Sequence, residues 1–173
     1  HLSIRRQRQM CIRDSLKVMQ MNSNQIKYLL LLALNGGFTW AQSPLECLKP
    51  AATYHGVNPQ LLLAVLTVES RLNPNAMNKN NNGTLDIGMG QINSIHLPEL
   101  KRYGLNADHL MDACKATYVS AWMLRRGFNQ YGNSWFAAAS YHSTTPVHNL
   151  RYQGLLKAEL ARQGVNLSVA SID

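Results

Sequence analysis

The sequence predicts an all-α domain interrupted by one long loop. Apolar residues recur at helical spacing in five segments, and Gly, Pro and Asn punctuate the ends of those segments. No run alternates convincingly as a strand, so β structure is limited to a minimal ribbon around residues 83–93.

The elements follow in chain order. Pro44 to about His55 forms a first helix, ended by Gly56. Asn58-Pro59 starts the second, which runs to Leu72: a side chain that caps, then a proline whose missing N–H is not needed at the first helical position. Residues 73–95 are rich in Asn and Gly and too long for a simple connection, which marks a working loop. A third helix spans about Ala107 to Phe128, with Leu110, Cys114, Tyr118, Ala121 and Leu124 at helical intervals. Ser134 to Tyr141 is a short apolar helix, and Pro146 to Gln163 is an amphipathic last one carrying Leu150, Leu155, Leu156 and Leu160.

A chain of 173 residues with 46% hydrophobic content fits one domain and is long enough to bury a real core. The net charge of +8 is mostly N-terminal: residues 1–41 carry six Lys/Arg against one acid, residues 42–173 eleven against eight. The body is therefore only mildly cationic, and a nucleic-acid partner is not expected.

The first 41 residues are expected to lie outside the fold. "HLSIRRQRQMCIRDS" has no periodicity, and "QMCIRDS" is what results from translating transposase mosaic-end DNA. Residues 1–18 are therefore read as a non-native read-through segment, with Met19 or Met21 as the start. Residues 19–41 then have the layout of a signal peptide: Lys27, an apolar run Tyr28–Leu34, and small residues before a cut after Ala41. The run is too short to span a bilayer, so no stable membrane span remains after cleavage. That leaves residues 42–173 as the working domain. With Cys11 set aside, Cys47 and Cys114 remain, an even count in an exported chain, and a disulfide between them is expected.

One residue conflicts with its surroundings. Glu69 shares a helix face with Leu62, Val65, Leu66 and Leu72. A charge there is unfavourable unless it is paired, or unless the site uses a carboxyl whose pKa burial has raised. Other chemistries have no support. The histidines at 55, 96, 109, 142 and 148 show no metal spacing, the cysteines form no CxxC, and no phosphate or dinucleotide loop is present, so neither metal nor cofactor is expected.

Four pieces stand in order: Glu69-Ser70 at a helix end, "DIGMGQIN" (86–93), "CKATYVSAWML" (114–124) and "ASYHSTTPVHNLRY" (139–152). This order resembles the SLT-type lytic transglycosylases, relatives of goose lysozyme with a lysozyme-like fold. The "YHS-x-x-P" variant and the cysteine pair are similar to exported members that accompany type III, type IV or pilus machinery. The resemblance covers about residues 45–160 and implies a periplasmic enzyme that cleaves peptidoglycan in a Gram-negative bacterium, leaving 1,6-anhydromuramyl ends.

The resemblance makes Glu69 the catalytic acid, with Ser70 holding its orientation. "GMGQ" stands where the family has Gly-Leu-Met-Gln, so Gly88, Met89 and Gln91 are expected to line the sugar groove. Gly90 replaces the family's Met, and its apolar contact is expected to be lost or taken over by Met89. Tyr141 matches a tyrosine that hydrogen-bonds near the catalytic carboxyl. His142 stands where most families have Asn, and either contacts substrate or stacks on the groove wall. Tyr152 either closes the groove or belongs to the core.

Two alternatives stay open. Asp86 supplies a second carboxylate for a hydrolytic lysozyme; the resemblance instead makes it structural, bonded to backbone N–H groups of the loop. A non-catalytic peptidoglycan-binding module is the other, although a pure binder has no use for an acid on an apolar face.

Overall fold

In a computed structural model of the chain, residues 45–165 are described. The expected read-through segment (1–18) and signal peptide (19–41) lie outside the described residues.

Helix α1 (Leu48–His55) ends where Gly56 adopts φ 63° and its N–H reaches back to Ala52 and Thr53 carbonyls. Helix α2 (Pro59–Ser70) begins as expected: the Asn58 side chain accepts from the N–H groups of Gln60 and Leu61, with proline at the first turn. It stops two residues earlier than its apolar pattern suggests, because Arg71 and Leu72 both turn left-handed, at φ 56° and 65°.

The long loop is more ordered than its composition predicts. It forms a three-stranded antiparallel sheet in the order β1 (Met77–Lys79), β2 (Leu85–Ile87), β3 (Ile92–Asn93). Asn78 pairs with Asp86, and Asp86 with Asn93. The expected ribbon supplies β2 and β3. Strand β1 has no apolar alternation, since all three of its residues are exposed, and backbone pairing alone defines it.

Short helical turns follow: 3₁₀ turns at Ser94–His96 and Lys101–Tyr103, with α3 (Leu97–Leu100) between them. The single helix expected over 107–128 is two. Helix α4 (Ala107–Leu110) is capped by Asn106, and α5 (Ala113–Tyr131) starts afresh at Asp112, whose carboxylate accepts from the Lys115 N–H. Helix α6 (Trp135–Ala139), capped by Ser134, and α7 (Pro146–Arg162) complete the domain. Cys47 and Cys114 are joined with Cα atoms 5.2 Å apart, tying the start of α1 to the start of α5. Among the described residues no helix is long and apolar enough to cross a membrane.

Two cores form. The larger packs α1, α2, α5, α6 and α7 through Leu62, Leu66, Leu124, Ala138 and Leu156. The smaller gathers Ile87, Ile92, Leu100, Leu110 and Val119 beneath the sheet. Helix α5 contributes to both, and Tyr141 packs against both, so the functional residues stand where the two cores meet.

Candidate active site

A cleft of about 490 Å³ lies along that junction. Glu69, from the last turn of α2, is part of its wall, together with Asn78 and Asp86 from the sheet, Gln91 after it, and Tyr141 and His142 after α6.

Burial dominates the chemistry of Glu69. Leu62, Val65 and Leu66 on its helix face are fully buried, and loss of hydration raises the carboxyl pKa from 4.5 to about 7. A hydrogen bond from Tyr152 opposes the rise, and the Asp86 carboxylate adds to it. Tyr152 Oη donates to Glu69 Oε1 at 2.5 Å. Burial and the Glu69 charge push the Tyr152 phenol well above its ordinary value, so it remains a donor at any physiological pH.

Asp86 is held from both sides. Its Oδ2 accepts from Asn80 Nδ2 at 3.0 Å and its Oδ1 from Asn93 Nδ2 at 2.7 Å. These partners are side-chain amides, not the backbone N–H groups expected, because strand pairing already uses the backbone of β2.

The other expected site residues divide into two groups. Gln91, Tyr141 and His142 join Glu69 on the cleft wall. Gln91 is also a brace for the loop: it sits at φ 47°, donates through Nε2 to the carbonyls of Gly88 and Ala76, and accepts from Asn78 Nδ2. Tyr141 Oη donates to the Gly90 carbonyl at 2.7 Å and lies 3.0 Å from Ser120 Oγ, so it fastens the loop to α5 without bonding Glu69. The His142 ring stacks on that of Tyr152 with centroids 4.8 Å apart and planes within 6°. Burial first, and the nearby His148, lower its pKa.

Ser70, Gly88 and Met89 are not among the cleft-lining residues and support it from behind. Ser70 Oγ donates to the Met89 carbonyl at 2.7 Å and accepts from the Asn73 N–H, so it joins α2 to the loop and does not orient Glu69. Met89 is fully buried in the larger core, which leaves it no apolar contact to share with a sugar. Gly88 has φ 72°, and a Cβ there would stand 1.8 Å from the Leu110 carbonyl oxygen; the close approach it allows is to protein backbone, not to ligand. At Gly90 a Cβ would stand 2.1 Å from Ser120 Oγ and 2.8 Å from Tyr141 Oη. The volume of any larger side chain there is already occupied by these two hydroxyls.

Tyr152 is another residue that sequence reasoning left undecided, between groove and core. A phenol on the inner stripe of α7, with Asn149, Leu156 and Leu160, needs a polar partner once buried. Glu69 needs one as well, and the two meet. Asn149 was not singled out either: fully buried, it donates to the Phe136 and Ser143 carbonyls and pins the turn that carries Tyr141 and His142.

Comparison with known proteins decides the relationship. Residues 46–153 match the family model described as the transglycosylase SLT domain. The chain belongs to that family. As an SLT domain it is similar to "Invasion protein IagB" of Salmonella typhimurium, 34% identical over 116 residues, covering 66% of this chain and 69% of that protein. It is also similar to "X polypeptide" of Escherichia coli, 34% identical over 99 residues (57% of this chain, 59% of that one). "Protein IpgF" of Shigella flexneri is 32% identical over 101 residues, 58% of this chain and 66% of that one. The SLT match spans every cleft residue described above, from Glu69 to His142, and also Tyr152.

Proposed function

We propose that this SLT domain is a peptidoglycan lytic transglycosylase, a lyase that cleaves the β-1,4 bond between N-acetylmuramic acid and N-acetylglucosamine. One observation carries the reading: a carboxyl with a pKa near 7 at the wall of a cleft, with one oxygen already occupied by a phenol. Because Tyr152 donates to Oε1, the acidic proton resides on Oε2. Glu69 gives that proton to the glycosidic oxygen as the bond to the muramyl C1 breaks. The substrate's own 2-acetamido oxygen bonds to C1 in its place. Glu69, now a carboxylate, takes the proton of the muramyl 6-hydroxyl, whose oxygen displaces the acetamido group and closes the 1,6-anhydro ring.

The relatives support a setting. One is named as an invasion protein, and all three come from enteric Gram-negative bacteria. The enzyme is accordingly exported to the periplasm, with residues 19–41 as its signal and residues 42–173 as the mature domain. There it opens the cell wall locally for a secretion, conjugation or pilus apparatus. The Cys47–Cys114 bridge fits an oxidising compartment.

Asp86 gives a second reading specific support, since it faces the same cleft as Glu69. Retaining and inverting glycosidases use two carboxylates, so a lysozyme-type hydrolysis by this pair is the competing reaction. Digestion of purified peptidoglycan, with fragments weighed by mass spectrometry, separates the two. Anhydromuramyl ends are expected; reducing ends establish hydrolysis, and intact polymer leaves a binding module. Glu69→Gln is expected to abolish cleavage, and full activity in that variant would defeat the assignment.

A further inference from the structure

We propose that the cleft continues into a second chamber that receives the anionic stem peptide of a peptidoglycan strand, with Arg126 recognising a stem-peptide carboxylate. The inference rests on peptidoglycan being the substrate.

Past His142 and Met123 the cleft adjoins a hollow of about 250 Å³, whose walls include Arg126, Gln130 and Thr144. His96, Met123, Tyr141 and His142 line both spaces, so the two adjoin. Charge divides them. The main cleft carries Glu69 and Asp86 and no Lys or Arg, whereas Arg126 is the one Lys or Arg lining the second chamber. Burial lowers the pKa of both histidines at the junction, and Arg126 near His96 and His148 near His142 act in the same direction. Arg126, paired with Glu99, thus stands in the chamber that Glu69 does not line.

In a peptide-bearing glycan strand the muramyl lactyl groups are tied up as amides, so the free carboxylates belong to the stem peptides. Arg126 is already placed to meet one. Its guanidinium lies over the Trp122 ring, 4.7 Å from the centroid, and Nη1 donates to Glu99 Oε2 at 2.7 Å. That pair uses one of five N–H donors on a half-exposed side chain, leaving the others for a planar carboxylate. The Gln130 amide and Thr144 hydroxyl beside it suit peptide N–H and C=O groups.

The test measures affinity in the full chain carrying Glu69→Gln, so that turnover does not remove the ligand. The probes are glycan oligosaccharides with their stem peptides and the same oligosaccharides with the stem-peptide carboxylates converted to amides. The ligand with free carboxylates is expected to bind about fivefold tighter, the size of a half-exposed charge-assisted pair. Adding Arg126→Gln brings the ratio to about one. Adding Glu99→Gln, which frees the guanidinium, raises it, a direction that a merely structural role for Arg126 does not produce. Equal affinities in the Glu69→Gln chain, or a preference that survives Arg126→Gln, overturn the inference. Binding of the amidated ligand alone overturns it while sparing the glycan-cleaving reading; binding of neither overturns both.

Discussion

Glu69 should destabilise the fold it serves, and the amount follows from its pKa. In the unfolded chain the carboxyl titrates near 4.5; in the fold burial holds it at about 7. Between these values the folded state binds the extra proton, so stability falls as pH rises through the window and the full penalty is present above pH 7. A gap of this size corresponds to about 2–3 kcal/mol, allowing for partial solvent contact at the cleft wall. Glu69→Gln keeps the shape and still accepts from Tyr152, but it has no charge to desolvate. The variant is therefore expected to be more stable than the parent by about 2–3 kcal/mol at pH 8 and to show almost no advantage at pH 4. Urea denaturation of both chains at the two pH values, disulfide intact, measures this. An advantage of equal size at pH 4 and pH 8, or a less stable variant at pH 8, would refute the claim that desolvation of Glu69 sets its pKa.

Three further outcomes test the site and its supports. Tyr152→Phe removes a donor that favours the carboxylate, so the alkaline limb of the cleavage rate should move up by about one pH unit; Asp86→Asn removes a repelling charge and should move it down. A pH–rate series on solubilised glycan reads both, and movement of both limbs in one direction contradicts the arrangement. Gly90→Ala places a methyl against Ser120 Oγ and should lose about 1–3 kcal/mol in a melting or denaturant assay, with part recovered by adding Ser120→Ala. Replacing Cys47 and Cys114 by Ser opens a loop of sequence separation 67 and should lower stability by about 4 kcal/mol in the chain-entropy model, read from urea midpoints of the two chains.

Local signals carried much of this protein. Asn58-Pro59 and Gly56 mark helix ends in the sequence because capping and left-handed turns are properties of a few neighbouring residues. Glu69 was conspicuous for a similar reason: helical spacing alone puts it on the face of Leu62, Val65 and Leu66. Strand β1 was hidden because its residues are exposed and pair through backbone, which leaves no mark in composition. The break at Asp112 was hidden because apolar spacing runs through it, although its cap on the Lys115 N–H is as local as that of Asn58.

The sequence by itself determined which residue would be out of place on an apolar face and which segments would surround it. Only the tertiary structure decided what that residue meets. Tyr152 is 83 residues from Glu69, and nothing in the spacing of α2 or α7 says that their polar groups converge. Likewise, Gly88, Met89 and Ser70 belong to cleft motifs by order along the chain, yet they point into α4, the larger core and the loop backbone. Periodicity specifies the face a side chain occupies on its own element. Which neighbour fills that face depends on how the elements pack, and packing is a property of the whole chain.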